Sequence, residues 1–282
     1  MPGTLFVVAT PIGNLEDITA RALRVLREVA VIAAEDTRRT GHLLARFAIT
    51  TPTTSLHQHN ERSKSRALIA RLLEGQSIAL VSDAGTPTVS DPGLKFIQDA
   101  LAAGIRVEPV PGPSAIMAAL SSSGVAAETF LFLGFPPTRA KDRKHWFELL
   151  STAGRTVVFF EAPHRFRETM TELQAKIGDQ TVVVARELTK AHEELVRSQI
   201  SIVLDKFSAP IGEFTVVVDG GQIPECKRPE IPSATSIVGE FGELTESNGL
   251  SRRQAAAEIA KRYGLSTNTI YSMVESFKKS GT

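Results

Sequence analysis

The sequence predicts two successive α/β domains followed by a small helical domain. Short apolar runs alternate with amphipathic segments along most of the chain, a pattern typical of mainly parallel sheets covered by helices. The 282 residues exceed the about 150 expected of one domain. Residues 220–234 contain two glycines and three prolines and are typical of an extended linker. We therefore expect domains at 1–112 and 113–220, a linker at 221–233 and a helical domain at 234–282.

The first domain is predicted to contain four strands and three helices. Three strands are apolar runs at residues 5–9, 31–34 and 78–81, and a fourth strand is expected at 107–110. Apolar residues spaced three and four apart between Ile18 and Val29 predict a first helix, with Thr19 as its cap. A second is expected to start at Asn60 and end at Gly75. The pair Asp91-Pro92 predicts the start of a third, which ends at Gly104.

The second domain begins after the chain-breaking triplet Pro-Gly-Pro at 111–113. Strands are expected at residues 130–133, 156–160, 181–185 and 214–218, with helices near 144–150 and 164–177 and a short helical piece before the last strand. Short connections leave room for antiparallel pairing. In the third domain, Ser251 can cap a helix through Arg262, Gly264 ends it, and Ser266 or Thr267 can cap another helix, which predicts a helix-turn-helix.

Composition excludes several classes of protein. Thirty-two Lys and Arg balance thirty-one Asp and Glu, so the chain has no overall basic coat, although residues 249–282 carry six basic and two acidic side chains. The single cysteine, Cys226, allows no internal disulfide, and the start of the chain lacks the features of a secretory signal. No apolar run approaches the about 20 residues of a membrane span. We expect a cytoplasmic protein that contacts no membrane.

Three loops at predicted strand ends are candidates for ligand binding. They span residues 10–14, 82–87 and 111–115 and consist largely of Gly, Pro, Ala, Ser and Thr. Ligands of open α/β sheets bind at the carboxyl ends of strands, and small residues let a nucleoside approach the backbone. The alternative is three tight turns without a ligand. The sequence lacks the glycine fingerprint of dinucleotide enzymes, the P-loop, the zinc-protease and hydrolase motifs, and any metal-ligand spacing.

Eight ordered motifs between residues 8 and 218 resemble those of the ribosomal RNA small subunit methyltransferase I family, a branch of the tetrapyrrole methylases. They include Ala-Glu-Asp-Thr-Arg at 34–38, Ser-Asp-Ala-Gly-Thr-Pro-Thr-Val-Ser-Asp-Pro-Gly at 82–93, Val-Pro-Gly-Pro-Ser-Ala at 110–115 and Phe-Glu-Ala-Pro-His-Arg at 160–165. The tail is similar to the small helix-turn-helix unit of the same family. The resemblance implies two α/β domains of the tetrapyrrole methylase type, a ligand cleft between them, and a homodimer.

The same resemblance implies S-adenosylmethionine-dependent 2'-O-methylation of a cytidine ribose in the decoding centre of 16S ribosomal RNA, in the 30S subunit, without a metal. The residues that it assigns to the methyl donor are Pro11, Ile12, Gly13, Asp83, Ala84, Gly85, Thr86, Val89, Ser114, Ala115, Glu161, Ala209 and Pro210.

Methyl transfer to a ribose hydroxyl requires an aligned nucleophile and a route for one proton. The candidate catalytic residues follow predicted strands, and they are Asp36, Arg38, Glu161, His164 and Arg186. We expect an arginine or lysine to hold the target phosphate and a carboxylate or His164 to take the proton. Alternatively, Asp36 and Arg38 form a structural ion pair, and His164 only completes the first turn of a helix. Asp91 is expected to be a helix cap.

RNA contacts are expected at basic patches, because phosphate neutralisation supplies most of the affinity. The candidate residues are Arg139, Lys141, Arg143 and Lys144 after the Pro-Pro turn, Arg62, Lys64 and Arg66, and Arg252 and Arg253 in the tail. A solvated charged face is the alternative for each patch.

Two other functions remain open. One is methylation of a porphyrinoid carbon, against which the basic loops and the tail argue. The other is a DNA-binding regulator that would read DNA through the tail helix, whose exposed face would carry Thr267, Asn268, Thr269 and Tyr271.

Overall fold

A computed structural model describes residues 1–220, 233–246, 250–263 and 265–280. The chain forms two compact units, Met1–Ile223 and Pro224–Thr282. Both sheets belong to the first unit. The predicted linker, apart from Ser233, lies outside the described residues, as does the predicted helix terminator Gly264. Within the described residues, no helix is both long and apolar enough to cross a membrane.

The first sheet has five parallel strands in the order β3-β2-β4-β1-β5. They are β1 (Thr4–Val8), β2 (Val31–Ala34), β3 (Thr53–Ser55), β4 (Ile78–Val81) and β5 (Arg106–Val110). All residues of β2 and β4 are buried, as expected of strands with helices on both sides. The four predicted strands are confirmed, and β3 is an additional polar edge strand.

Helices cover both faces of this sheet. They are α1 (Ala20–Glu28), α2 (Thr37–Arg46), α3 (Glu61–Leu73) and α4 (Leu94–Ala102). Because successive residues of a strand point to opposite faces, Ile32 packs with α1 and α2, whereas Val31 packs with α3 and α4. Thr19 caps α1 as predicted, since its hydroxyl accepts a hydrogen bond from the Ala22 N–H at 3.1 Å.

Two predicted helix starts need correction. Asn60 occupies the position before α3, but its side chain accepts from the His57 N–H at 2.9 Å instead of capping the helix. Asp91 is not the cap of α4, which begins at Leu94 after Gly93. Gly93 has a φ of +115°, and a Cβ there would lie 2.7 Å from a methyl group of Leu80. The backbone conformation therefore favours glycine at this helix start, and Asp91 is left in the preceding loop.

The second sheet is mixed and has the order β6-β7-β10-β8-β9. Its elements are α5 (Ala115–Ser123), β6 (Phe130–Phe132), α6 (Ala140–Ser151), β7 (Thr156–Glu161), α7 (Pro163–Ile177), β8 (Thr181–Arg186), β9 (Glu194–Gln199), α8 (Ile200–Lys206) and β10 (Phe214–Val218). Only β6 and β7 pair in parallel, so the expected antiparallel pairing is confirmed. Helix α5 packs on one face, and α6, α7 and α8 pack on the other. Trp146 and Phe159 lie in this second core.

The second unit contains α9 (Ala234–Glu246), α10 (Arg252–Tyr263) and α11 (Thr267–Ser280) around a small apolar core. The two predicted tail helices are confirmed, and α9 was not predicted. Ser251 and Ser266 act as caps, because their hydroxyls accept from the N–H groups of Gln254 at 3.4 Å and Thr269 at 3.0 Å.

Candidate functional site

A cavity of about 580 Å³ lies within the first unit, and both sheets contribute to its wall. This volume falls in the range of about 300–1,000 Å³ that is usual for small-molecule sites. The first sheet contributes loops that follow the carboxyl ends of its strands. The second contributes the end of β7, the start of α7, and the start of β10, which runs antiparallel to β7 and therefore begins at the same edge.

The three small-residue loops of the first sheet meet at this cavity. Thr10 and Gly85 exchange backbone hydrogen bonds of 2.9 and 3.0 Å, which join the first loop to the second. The hydroxyl of Thr86 donates to the carbonyl of Pro113 at 3.3 Å, which joins the second loop to the third. Gly85 has a φ of +77°, a conformation that side chains other than glycine rarely adopt. These contacts fix the loop geometry without any bound ligand.

Among the described residues, backbone strain occurs in the loop between β4 and α4 and also in the loop after β8, where Glu187 and Thr189 have positive φ angles. Thr88 and Ser90 adopt φ angles of +73° and +68°, although neither is glycine. Each such residue costs about 1–3 kcal/mol and persists only where surrounding structure enforces it. Ser90 and its neighbour Asp91 both line the cavity. Strained backbone at a cavity wall is typical of functional sites.

The second-sheet wall is built on a buried carboxylate. Glu161 is 1% exposed, and its carboxylate accepts hydrogen bonds from the Ala162 N–H at 2.8 Å and from the hydroxyl of Thr169. Thr169 in turn accepts from Arg143 at 2.9 Å, and the Nε of Arg165 lies 3.6 Å from Glu161 Oε1. This network holds the junction between β7 and α7 in place, and His164 lies exposed in the first turn of α7 at the cavity wall.

The cavity wall is acidic. Among the described residues that line it are five carboxylates, and Arg39 is the only Lys or Arg; the carboxylates are Glu35, Asp83, Asp91, Glu161 and Glu213. Burial raises the pKa of Glu35 above its ordinary value. Burial and the nearby charges of Glu35 and Asp83 raise the pKa of Asp91 to about 6. Burial is the largest cause of both shifts, and the neighbouring carboxylates add to it. The five carboxylates at the wall favour a positively charged ligand over a phosphorylated one.

The N-terminus of α5 also faces the cavity. Ser114 caps this nine-residue helix, and Ser114, Ala115 and Ile116 line the wall. The positive end of the helix dipole and its free N–H groups form a local site for an anionic group such as a carboxylate.

Most of the residues assigned to a methyl donor lie together at the cavity. They are Ile12, Asp83, Ala84, Gly85, Thr86, Val89, Ser114, Ala115 and Glu161. Pro11 lines a smaller neighbouring cavity. Gly13 instead packs against the loop after β8, where a Cβ would lie 2.5 Å from Lys190 Cγ. Ala209 and Pro210 precede β10 and are not among the described lining residues.

The candidate catalytic residues are distributed differently. Glu161 and His164 line the cavity, whereas Asp36, Arg38 and Arg186 do not. Asp36 caps α2 and forms an ion pair with Arg38 at 2.8 Å, and these contacts hold the pKa of Asp36 at about 2. Arg186 donates to the Ile211 carbonyl at 2.7 Å and to Glu194 at 3.3 Å. The contacts of Asp36, Arg38 and Arg186 brace local structure.

Sequence reasoning missed several lining residues, among them Glu35, Arg39, Asp91, Phe160 and Glu213. Glu35 lies inside the motif at 34–38 and Arg39 directly follows it, so the position of that motif after a buried strand was the available signal.

The predicted RNA-binding arginine Arg143 is buried rather than exposed. It donates to Glu172 at 2.9 Å and to Thr169, and lies over the ring of Phe147. Arg139, Lys141 and Lys144 around it are exposed, as are Arg252 and Arg253 in the second unit. Within the described residues, no group of three or more His, Cys, Asp or Glu side chains could hold a metal ion.

The chain is similar to proteins of a known family. Residues 4–203 match the Tetrapyrrole (Corrin/Porphyrin) Methylases. A protein of Synechocystis sp. named ribosomal RNA small subunit methyltransferase I is 44% identical over 96% of this chain and 97% of its own length. Its namesake in Pseudomonas aeruginosa is 43% identical over 95% of each chain.

A solved structure has the same fold. The uroporphyrin-III C-methyl transferase of Thermus thermophilus, complexed with S-adenyl homocysteine, superposes with a TM-score of 0.54 at 17% identity. The match covers 78% of this chain and 99% of that one. The predicted pair of α/β domains of the tetrapyrrole methylase type is thereby confirmed, and a helical tail is present in α9, α10 and α11. The ligand cleft between the domains stays a prediction.

Proposed function

We propose that this chain methylates a cytidine ribose of 16S rRNA at its 2'-oxygen. The chain belongs to the tetrapyrrole methylase family and, within it, to the ribosomal RNA small subunit methyltransferases I. The coarser activity, S-adenosylmethionine-dependent methylation of ribosomal RNA, follows from the family and from relatives 43–44% identical over nearly the whole chain. The decoding-centre cytidine, the 30S subunit as substrate, a homodimeric state and a cytoplasmic location belong to the proposal.

The acidic cavity is the observation that carries the proposal. S-adenosylmethionine has a positive sulfonium and a positive ammonium group, and the wall that contains Glu35, Asp83 and Asp91 favours such charges. The carboxylate of the donor can accept hydrogen bonds at the N-terminus of α5, and the small residues of the 82–87 loop leave space for its nucleoside. The residues present therefore fit this donor. When bound, the donor supplies an electrophilic methyl group.

The protein's own residues then align the nucleophile and accept its proton. Asp91, whose pKa is about 6, and His164 in the first turn of α7 both lie at the wall and can take the proton of a ribose hydroxyl. The Glu161 network keeps this turn rigid, which favours alignment of the acceptor oxygen.

The proposal is tested by methyl transfer from labelled S-adenosylmethionine to undermethylated 30S subunits, followed by mapping of ribose methylation. We expect label on a single cytidine ribose. Ala115→Trp places a large side chain in the cavity and should abolish methyl transfer. Met117→Trp, on the exposed side of the same helix, should retain it. Label on a base, or on uroporphyrinogen instead of RNA, would contradict the proposal.

A further inference from the structure

Helix α2 presents a cationic face beside the cavity. Arg38, Arg39, His42 and Arg46 are exposed and lie within one about 100°-wide stripe of the helix, and Thr37–Arg46 contains no acidic residue. The side chains of Arg38 and Arg39 are 88% and 65% exposed. Because α2 follows β2 directly, its first turn lies at the same sheet edge as the cavity loops. The α2 face is therefore both accessible and close to the acidic wall.

A second cavity of about 130 Å³ lies under this face. Arg39 and His42 line it from α2, and Pro11 and Leu15 line it from the first loop. Arg39 and Asp83 line both cavities, so the two are neighbours. At about 30 Å³ for each water, the smaller one has room for about four water molecules. Such a space suits a phosphate group and is too small for a whole nucleotide.

Two carboxylates orient the arginines of this face. Asp36 accepts from the Nε and Nη2 of Arg38 at 3.2 and 2.8 Å. Asp83 accepts from the Asp36 N–H at 3.0 Å and lies 3.4 Å from Arg39 Nη1. Each guanidinium has further N–H groups, because arginine carries five donors. The carboxylates thus orient the two arginines, and N–H donors remain for an anion.

We infer that the exposed face of α2, with the small cavity beside Arg39, binds the sugar–phosphate backbone of the RNA next to the nucleotide that is methylated. This inference rests on the proposed function. A target nucleotide must be splayed out of its structure to reach a cavity, so the backbone on either side of it lies at the cavity mouth. The charges fit this division: the acidic cavity takes the cationic donor, and the adjacent cationic helix face takes the polyanionic strand.

The test uses the double variant Arg38→Gln/Arg39→Gln in the full-length chain. We expect KM for 30S subunits to rise about tenfold or more, and the slope of log affinity against log salt to fall by about 1.4, since each single-strand phosphate contact contributes about 0.7. The single variant Arg38→Gln changes a residue that lines neither cavity, so its affinity for S-adenosylhomocysteine, measured by calorimetry, should be unchanged.

Arg24→Gln is the matched control. Arg24 is an exposed arginine on α1 that pairs with Glu28 at 2.8 Å, much as Arg38 pairs with Asp36, and it lines neither cavity. The inference is overturned if the double variant behaves like Arg24→Gln toward 30S subunits, or if Arg38→Gln alone loses affinity for S-adenosylhomocysteine. Absence of methyl transfer to RNA by the unmodified protein would instead refute the proposed function, so the two failures are distinguishable.

Discussion

The environment of Asp91 disfavours the charged form of its carboxyl group. Burial raises its pKa to about 6, and Glu35 and Asp83 add repulsion. A raised carboxyl pKa stabilises the folded protein below the unfolded-state value near 4, and that contribution is lost as the pH rises through about 6. At neutral pH the ionised Asp91 therefore lowers the free energy of unfolding, and a bound cationic ligand offsets this loss.

Asp91→Asn should consequently stabilise the ligand-free protein. We expect the free energy of unfolding at pH 7 to rise by on the order of 1 kcal/mol. This is less than the whole pKa shift of Asp91 would give, because the side chain is only half-buried. The gain should appear between about pH 4 and 6 and stay constant above. Chemical denaturation across this range measures it, with Asp142→Asn on the exposed side of α6 as the control. An equal gain at all pH values would show that charge is not the cause.

Thr169 is a second residue with a measurable role. Its hydroxyl accepts from Arg143 at 2.9 Å and donates to the buried Glu161. Thr169→Val leaves both partners short of a hydrogen bond, and we expect the free energy of unfolding to fall by about 2–3 kcal/mol. Thr171→Val, which removes an exposed hydroxyl from the same helix, should change it by less than about 0.5 kcal/mol. Similar values for the two variants would refute the role of the Glu161 network.

At the scale of single residues, the sequence predicted the correct neighbourhood and missed individual side chains by one position. Asp36 and Arg38 were singled out, yet the residues that line the cavity are Glu35 and Arg39. The reason is the cap of α2. The Asp36 carboxylate accepts from the Arg38 N–H at 2.8 Å and so is turned toward the helix. Which of several polar residues after a strand becomes the cap depends on backbone angles that the residue types alone do not determine.

At the scale of elements, buried strands were predictable and polar edge strands were not. The run at 31–34 is wholly apolar, and it forms β2 with the bounds expected. Strand β9 has only Val196 buried, and it is held by pairing with β8 along its whole length. A strand stabilised mainly by a neighbour's backbone leaves no apolar pattern in its own sequence.

A contact between elements gives the next prediction. Gly13 packs against the loop after β8, where a Cβ would lie 2.5 Å from Lys190 Cγ and 2.9 Å from the Leu188 carbonyl oxygen. Gly13→Ala should therefore force the two loops apart and destabilise the protein by about 1–3 kcal/mol. Gly41→Ala, inside α2 with open space around it, should stabilise the protein by about 0.5–1 kcal/mol. Thermal or chemical unfolding compares the two, and equal effects would contradict the close packing at Gly13.

At the scale of the whole molecule, all described residues that line the cavity lie between Ile12 and Thr215, inside the first compact unit. A chain ending after residue 223 should fold, because that unit contains both sheets and their cores. Its affinity for S-adenosylhomocysteine should stay within about twofold of the full chain's, a difference of about 0.4 kcal/mol. Calorimetry on the two proteins makes the comparison, and loss of binding on truncation would show that the second unit completes the site.

We propose that the acidic cavity between the two sheets holds the methyl donor. A crystal structure of the protein grown with S-adenosylhomocysteine tests this. We expect the ligand to lie in the cavity, against the 82–87 loop, the N-terminus of α5 and the junction between β7 and α7. Ligand density elsewhere on the protein, or a cavity filled by rearranged side chains when the ligand is present in excess, would contradict it.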